Sequence, residues 1–145
     1  MPRSSRSVRA LALLSAAVAL LAGGVAAAWD GERALVLAER LDVEIAATVS
    51  AAQGGPQKDS VRGERQRGAA LSEVPTLEAS VGELLRALRS GGDRDATQPY
   101  LDKVQKAMQA VVSSADDVTP HKATADRWRK SSATLRELVL LYAEE

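Results

Sequence analysis

The residue with the widest chemical repertoire in this 145-residue chain is its single histidine, His121. It follows Thr119-Pro120, a capping residue and a proline, so we expect it in the exposed first turn of a helix. It is the one histidine that could act as the base of a Ser–His catalytic pair. As a haem ligand it would have to pair with Met108, and the chain has no cysteine to attach a haem covalently. The sequence has no Walker-type glycine loop and no zinc signature. We therefore predict a protein that is not an enzyme, with no metal and no cofactor.

Two acidic clusters are candidate cation sites. Asp93-Arg94-Asp95 follows two glycines, as at the start of a calcium loop, but the twelfth position, where such a loop needs a glutamate, is Val104. We expect this cluster to cap a helix and shape a turn. Asp116-Asp117 has the composition of a carboxylate pair, and we expect it to end one helical turn before the next cap.

Arginine side chains mark candidate anion sites, because a guanidinium group matches an oxyanion with paired donors. Arg33 and Arg40 are seven positions apart on one face of the first predicted helix, and a second basic cluster spans residues 58–67. The alternative is a solvated helix surface, on which Arg33 and Arg40 pair with neighbouring glutamates. No aromatic residues interleave with these arginines, so a surface for single-stranded nucleic acid is not expected.

The composition limits both partners and core. Without Arg3, Arg6 and Arg9, the 19 basic residues fall to 16 against 19 acidic ones, a net charge of −3. Such a domain has no bulk attraction for nucleic acid or anionic lipid. Cysteine and phenylalanine are both absent, which excludes a disulfide framework and leaves alanine, leucine and valine to fill narrow seams between helices.

The N-terminal residues 1–28 have the order of a targeting segment. Three arginines precede 20 uncharged residues from Ala10 to Trp29, and Ala26-Ala27-Ala28 offers small residues for cleavage. The alternative is an uncleaved anchor, since 20 residues of helix rise roughly 30 Å and just span a hydrocarbon core. Both interpretations place residues 29–145 outside the cytoplasm, periplasmic or secreted, with membrane contact only through an uncleaved N-terminal segment.

Four helical segments are predicted in the remainder, at about 31–53, 61–90, 97–115 and from 119 onward. We expect Thr97 to cap the third and Thr119-Pro120 to start the fourth. Pro75 predicts a kink or restart near Ser72, and Gly91-Gly92 ends the second segment. Apolar seams step by three and four residues along them: Ala34, Ala38, Leu41, Ile45, Thr48 and Ala52; Leu77, Val81, Leu84, Leu85 and Leu88; Leu101, Val104, Met108, Val111 and Ala115; Ala125, Trp128, Ser132, Leu135, Val139 and Tyr142.

The fold class that follows is all-α. Short linkers of roughly 4 to 10 residues favour antiparallel neighbours, so we predict an up-down four-helix bundle over residues 29–145, preceded by the signal or membrane-anchor helix. A three-helix layout and an elongated coiled coil stay open, as does a homo-oligomer. No segment alternates with period two, so no sheet is predicted.

Two stretches resemble a known family. Gly31-Glu32 followed by residues 35–41, Leu-Val-Leu-Ala-Glu-Arg-Leu, and residues 88–93, Leu-Arg-Ser-Gly-Gly-Asp, are similar to motifs in the extracytoplasmic helical sensory domains of type IV pilus chemotaxis transducers and nitrate/nitrite sensors. The resemblance implies a sensory four-helix domain whose first helix contributes an anion-binding arginine. That arginine corresponds to Arg40, with Arg33 as a second candidate. Leu35 stands where the nitrate sensors place another arginine.

We therefore expect a non-enzymatic extracytoplasmic domain that binds a small ligand, such as an anion, or an envelope protein partner in a sensory setting. The alternative is a structural coiled-coil adaptor of an envelope assembly. A sensor buries all of its seams, whereas an adaptor leaves one exposed for another chain.

Overall fold

A computed structural model describes residues 28–54, 61–115 and 120–144 of the chain, without the side chain of Arg62. Within these ranges the structure is four helices with no strand: α1 (Gly31–Gly54), α2 (Val61–Arg89), α3 (Arg94–Ser114) and α4 (Lys122–Ala143). The all-α prediction is confirmed at this level. No helix in the described ranges is long and apolar enough to cross a membrane. The predicted signal or anchor, residues 1–28, lies outside the described residues except for Ala28.

The core is aliphatic and is shared by all four helices. α1 packs against α2 and α4, α2 packs extensively against α3, and the contact between α3 and α4 is the thinnest of the four. Most predicted seam positions of the first three helices are buried, with Ala52 and Ala115 half-buried at the helix ends. The largest side chains that solvent does not reach are Leu41, Ile45, Leu77, Leu84, Leu101 and Leu138.

The predicted seam of α4 is rotated from the buried face that the structure shows. Leu135 and Tyr142 are buried as expected, but Ala125, Trp128, Ser132 and Val139 are only half-buried. The buried face includes Ser131 and Thr134, whose hydroxyl groups made these positions look polar. Ser131 satisfies its hydroxyl by donating to the carbonyl of Arg127, and it lies 3.4 Å from Thr48 Oγ1 across the α1–α4 interface. Ser131 therefore enters this core because its hydroxyl group finds a partner in its own helix.

α2 is continuous through Pro75, so the predicted restart near Ser72 is wrong. Proline removes one backbone hydrogen bond and costs about 3 kcal/mol inside a helix. Its ring is exposed, while Val74 and Leu77 on either side of it are buried. Packing of these two neighbours holds the helix through a position at which local propensity would end it.

The α2–α3 turn has the form that its glycines predict. Gly91 adopts a left-handed φ of 77°. Its N–H donates to the Leu88 carbonyl and that of Gly92 donates to the Ala87 carbonyl, the pair of bonds that closes a Schellman cap. α3 then begins at Arg94 and not at Thr97, because Asp93 Oδ1 accepts from the Ala96 N–H at 2.8 Å and is the N-cap.

The N-terminus of α4 also differs from expectation. The helix begins at Lys122 with His121 as its N-cap, so Pro120 precedes the helix instead of occupying its first position. Thr119, the expected cap, and Asp116-Asp117 lie outside the described residues. His121 makes no side-chain capping bond and is exposed, as predicted.

Candidate functional site

An open cleft of about 460 Å³ lies between α2 and α3, near the turn that joins them. Its α2 wall presents three successive turns of the helix, and its α3 wall presents two residues one turn apart. The antiparallel path from Arg89 through Gly91-Gly92 to Arg94 brings these walls together. The lining residues are Glu83, Arg86, Ala87, Ser90, Tyr100 and Lys103.

Lys103 is paired with Glu83 at this cleft. Its Nζ donates to Glu83 Oε2 at 2.8 Å and lies 5.5 Å from the centroid of the Tyr100 ring. The hydrogen bond from Lys103 and its positive charge lower the pKa of Glu83, and the same bond and the carboxylate charge raise the pKa of Lys103. Both groups are therefore charged at neutral pH, and the ammonium has N–H donors left over after the one that Glu83 accepts.

Arg86 adds a second cation to the lining. It is exposed on α2, one turn from Glu83, whose pKa its positive charge also lowers. The lining thus carries two cations against one carboxylate. Ser90 donates its hydroxyl proton to the Arg86 carbonyl at 2.8 Å, so it offers acceptor lone pairs to the cleft. The donors that an incoming anion would meet are the guanidinium of Arg86 and the free N–H groups of Lys103.

Arg40, the first predicted ligand residue, lies elsewhere. Its Nη2 donates to Glu137 Oε2 at 2.7 Å, across the α1–α4 interface, and both side chains are about half exposed. Arg33 is exposed near the start of α1, where its backbone N–H donates to Asp30 Oδ1. Their seven-residue spacing separates them by roughly 10 Å along the helix axis. Anion binding at these arginines stays a prediction, and at Arg40 an anion would compete with Glu137.

Other predicted candidates are not gathered into a site. Met108 is buried in the core while His121 is exposed at the start of α4. Among the described residues no group of three or more histidine, aspartate or glutamate side chains is arranged to hold a metal ion. Of the basic cluster at 58–67, Lys58 and the Arg62 side chain lie outside what the structure describes.

The cleft was not predicted from the sequence, because its residues are separated by a turn. Glu83 and Arg86 are three residues apart, as are Tyr100 and Lys103, and this spacing places each pair on one helix face. The sequence therefore shows that each pair shares a helix face. It does not show that the two faces meet, because that depends on the packing register of α2 against α3, which is set by the capped turn and by Leu84, Leu88 and Leu101 in the core.

Comparisons of the chain with protein-family models, with curated proteins and with solved structures found no match.

Proposed function

We propose that this protein is a non-enzymatic helical binding domain whose α2–α3 cleft takes a small organic anion. The observation that carries the proposal is the charge of the lining, with Arg86 and Lys103 against Glu83 alone. Lys103 Nζ is hydrogen-bonded to Glu83 and lies near the Tyr100 ring, and it keeps N–H donors for an incoming carboxylate. The Tyr100 ring offers an apolar face to the rest of the ligand. An aromatic or aliphatic carboxylate fits this combination better than a bare inorganic ion.

The proposed architecture is the antiparallel up-down bundle. Three contacts support opposite directions for α1 and α4, because residue numbers rise on one helix as they fall on the other. They are the edge-to-face rings of Trp29 and Tyr142, with centroids 4.6 Å apart, the Arg40–Glu137 ion pair, and the Thr48–Ser131 hydroxyl contact.

Two further contacts extend this pattern around the bundle. Arg89 Nη2 near the end of α2 donates to Glu39 Oε1 in the first half of α1 at 3.0 Å. Tyr142 at the end of α4 donates to Thr97 in the first turn of α3. These contacts support α1 beside α2 and α3 beside α4, as in an up-down bundle.

The proposed setting is extracytoplasmic and sensory. It rests on the basic and apolar residues 1–28 and on the family resemblance, and Trp29 packing on Tyr142 supports a domain that begins at residue 29. N-terminal sequencing of the protein from cell-envelope fractions is expected to give Trp29 for a cleaved signal or Met1 for an anchor. Full-length protein found soluble in the cytoplasm would overturn this assignment.

The adaptor alternative has one observation in its favour. The predicted seams of α1, α2 and α3 are largely buried and α4 packs through a rotated face, but Val36, Val43 and Leu140 are exposed on the outer surfaces of α1 and α4. Three side chains are fewer than a complete seam. The buried faces therefore favour the self-contained binding domain.

Calorimetric titration with benzoate tests the cleft, with neutral benzamide as the matched probe. Benzoate is expected to bind and benzamide not, and at one hundred times its Kd benzoate should add about 2.7 kcal/mol to the unfolding free energy. Arg86→Gln should weaken benzoate binding at least tenfold. Glu83→Gln should strengthen it, because it removes the competing carboxylate, and a gain of affinity cannot come from misfolding.

Arg40→Gln separates the two candidate sites. It is expected to leave benzoate affinity unchanged if the cleft is the site. Loss of binding in Arg40→Gln together with full binding in Arg86→Gln would move the site to α1, as the family resemblance implies. If neither benzoate nor nitrate shifts the melting curve at millimolar concentration, the anion proposal fails and the adaptor becomes the better hypothesis.

A further inference from the structure

The outer surface of the α1–α4 pair carries an ordered set of exposed apolar residues. Val36 and Val43 are seven residues apart on α1, and Ala133 and Leu140 are seven apart on α4. Val36, Val43 and Leu140 are 62%, 68% and 58% exposed, above the other valine, leucine and isoleucine side chains of these helices. We call these four residues, with Arg40 and Glu137, the α1–α4 outer patch.

Heptad spacing explains why the apolar members line up. Seven residues make nearly two helical turns, so Val36 and Val43 form a stripe along α1, and Ala133 and Leu140 form a second along α4. Both stripes face away from the core, because Leu37, Leu41 and Ile45 occupy the buried face of α1 and Leu138 and Leu141 that of α4. These positions contribute nothing to the core of this chain.

The Arg40–Glu137 ion pair fixes the levels of the two stripes. Val36 lies four residues before Arg40, and Leu140 lies three after Glu137, so both are about one turn toward the same end. Val43 and Ala133 lie about one turn toward the other end. The α1–α4 outer patch therefore has three rows along the helix axes. Its two end rows are apolar, and its middle row holds one cation and one carboxylate side by side.

We infer that the α1–α4 outer patch binds the same patch of a second copy of this chain. A two-fold axis parallel to the helices would place α1 of one copy on α4 of the other. Arg40 would then face Glu137 of the other copy, and Val36 would face its Leu140. A two-fold axis perpendicular to the helices would instead set Arg40 against Arg40, so the charges select the parallel axis.

The size of the patch sets the strength of the association. Three exposed aliphatic side chains, one alanine and one ion pair per copy form an interface at or below about 1,200 Å² in total, the range of weak complexes. The dimer is thus concentration-dependent, and attachment of both copies to one membrane would raise its population through their effective concentration. This inference is independent of the proposed cleft, which is formed by α2 and α3.

A charge-reversal experiment on the full chain tests the arrangement. Arg40→Glu and Glu137→Arg, each alone, place like charges at the centre of the dimer and should abolish self-association. Mixed together, the two variants should form a heterodimer, because both carboxylates of the first variant then face the two arginines of the second. Sedimentation equilibrium in detergent, or co-purification of differently tagged chains from cell envelopes, measures both results, and circular dichroism confirms that each variant is folded.

Cysteine cross-linking supplies the geometry, since the chain has no cysteine of its own. Chains carrying Val36→Cys and chains carrying Leu140→Cys with a different tag should form a mixed disulfide under mild oxidation. Val61→Cys, equally exposed at 69% but on α2, is the control and should not cross-link to Leu140→Cys. The inference is overturned if the mixed charge variants stay monomeric, or if Val36→Cys links only to itself.

Discussion

The hydrogen bond between Tyr142 and Thr97 joins the end of α4 to the first turn of α3, where the contact between these helices is otherwise thin. Tyr142 Oη donates to Thr97 Oγ1 at 2.8 Å, and both residues are buried. Thr97 Oγ1 in turn donates to the Asp93 carbonyl at 2.7 Å. A double-mutant cycle with Thr97→Val and Tyr142→Phe removes the two hydroxyl groups and keeps the shape of both side chains.

The expected magnitudes follow from which polar atom is left without a partner. Thr97→Val leaves the Tyr142 hydroxyl buried without its acceptor, which costs about 1–3 kcal/mol. The Asp93 carbonyl stays bonded, because it also accepts the backbone N–H of residue 97. Tyr142→Phe loses only the net value of the bond, about 0.5–1.5 kcal/mol. The double variant leaves neither hydroxyl, so it should cost less than the sum of the single variants by about 1 kcal/mol.

Urea and thermal unfolding of the four proteins measure this coupling, with about 4 °C of Tm expected per kcal/mol. The same variants give a pH test. Burial raises the pKa of Tyr142, and the hydrogen bond to Thr97 only partly offsets this. The stability linked to this group is therefore fully present below the unfolded tyrosine pKa of about 10 and lost as pH rises through the folded pKa. Tyr142→Phe should lose less stability in that alkaline interval than the native chain. If the unfolding free energy lost in the double variant equals the sum of the losses in the two single variants, the hydrogen bond between Tyr142 and Thr97 is refuted.

Two further predictions concern packing. Leu84→Ala in the core should lower the unfolding free energy by about 2–5 kcal/mol, measured by urea unfolding. Its control, Leu140→Ala, removes a side chain that is 58% exposed and should change stability by less than about 0.5 kcal/mol in dilute solution. Similar losses in both variants would mean that the core is assigned to the wrong residues. Gly92→Ala should destabilise by about 1–3 kcal/mol, because a Cβ there would lie 2.7 Å from Thr97 Cγ2 and 2.9 Å from the Ala87 carbonyl oxygen. Its control, Gly82→Ala, meets nothing within 4 Å inside α2 and should stabilise by about 0.5–1 kcal/mol, so a neutral Gly92→Ala would contradict the close turn.

The sequence predicted helices best where apolar side chains alone decide the pattern. Ala34, Leu41 and Ile45 on α1 and the predicted seam leucines of α2 follow a helical period, and they are buried as expected. Prediction failed for the buried hydroxyl groups of α3 and α4, although Thr48 on α1 is buried as expected. The residue type of Thr97 predicts a helix cap, yet Thr97 is buried one turn inside α3 with its hydroxyl bonded on both sides.

The cleft could be predicted only in part, for a similar reason. The spacing of Glu83 with Arg86 and of Tyr100 with Lys103 indicates two charged helix faces, but not that they oppose each other. The 2.8 Å bond between Lys103 and Glu83 depends on the register of α2 against α3. That register follows from tertiary packing, which a helical period does not specify.

Buried hydroxyl groups also bear on how an aliphatic core specifies one arrangement. Alanine, valine and leucine seams are nearly interchangeable, so apolar burial alone permits several helix pairings of similar energy. A buried hydroxyl must find a partner, which penalises every pairing that leaves it without one. Thr97 with Tyr142 links α3 to α4 in this way, whereas Thr48 and Ser131 each donate to a carbonyl of their own helix and are satisfied without each other. The Tyr142 hydroxyl therefore favours α3 as a neighbour of α4, and the Thr97–Tyr142 cycle measures how much stability this one contact contributes.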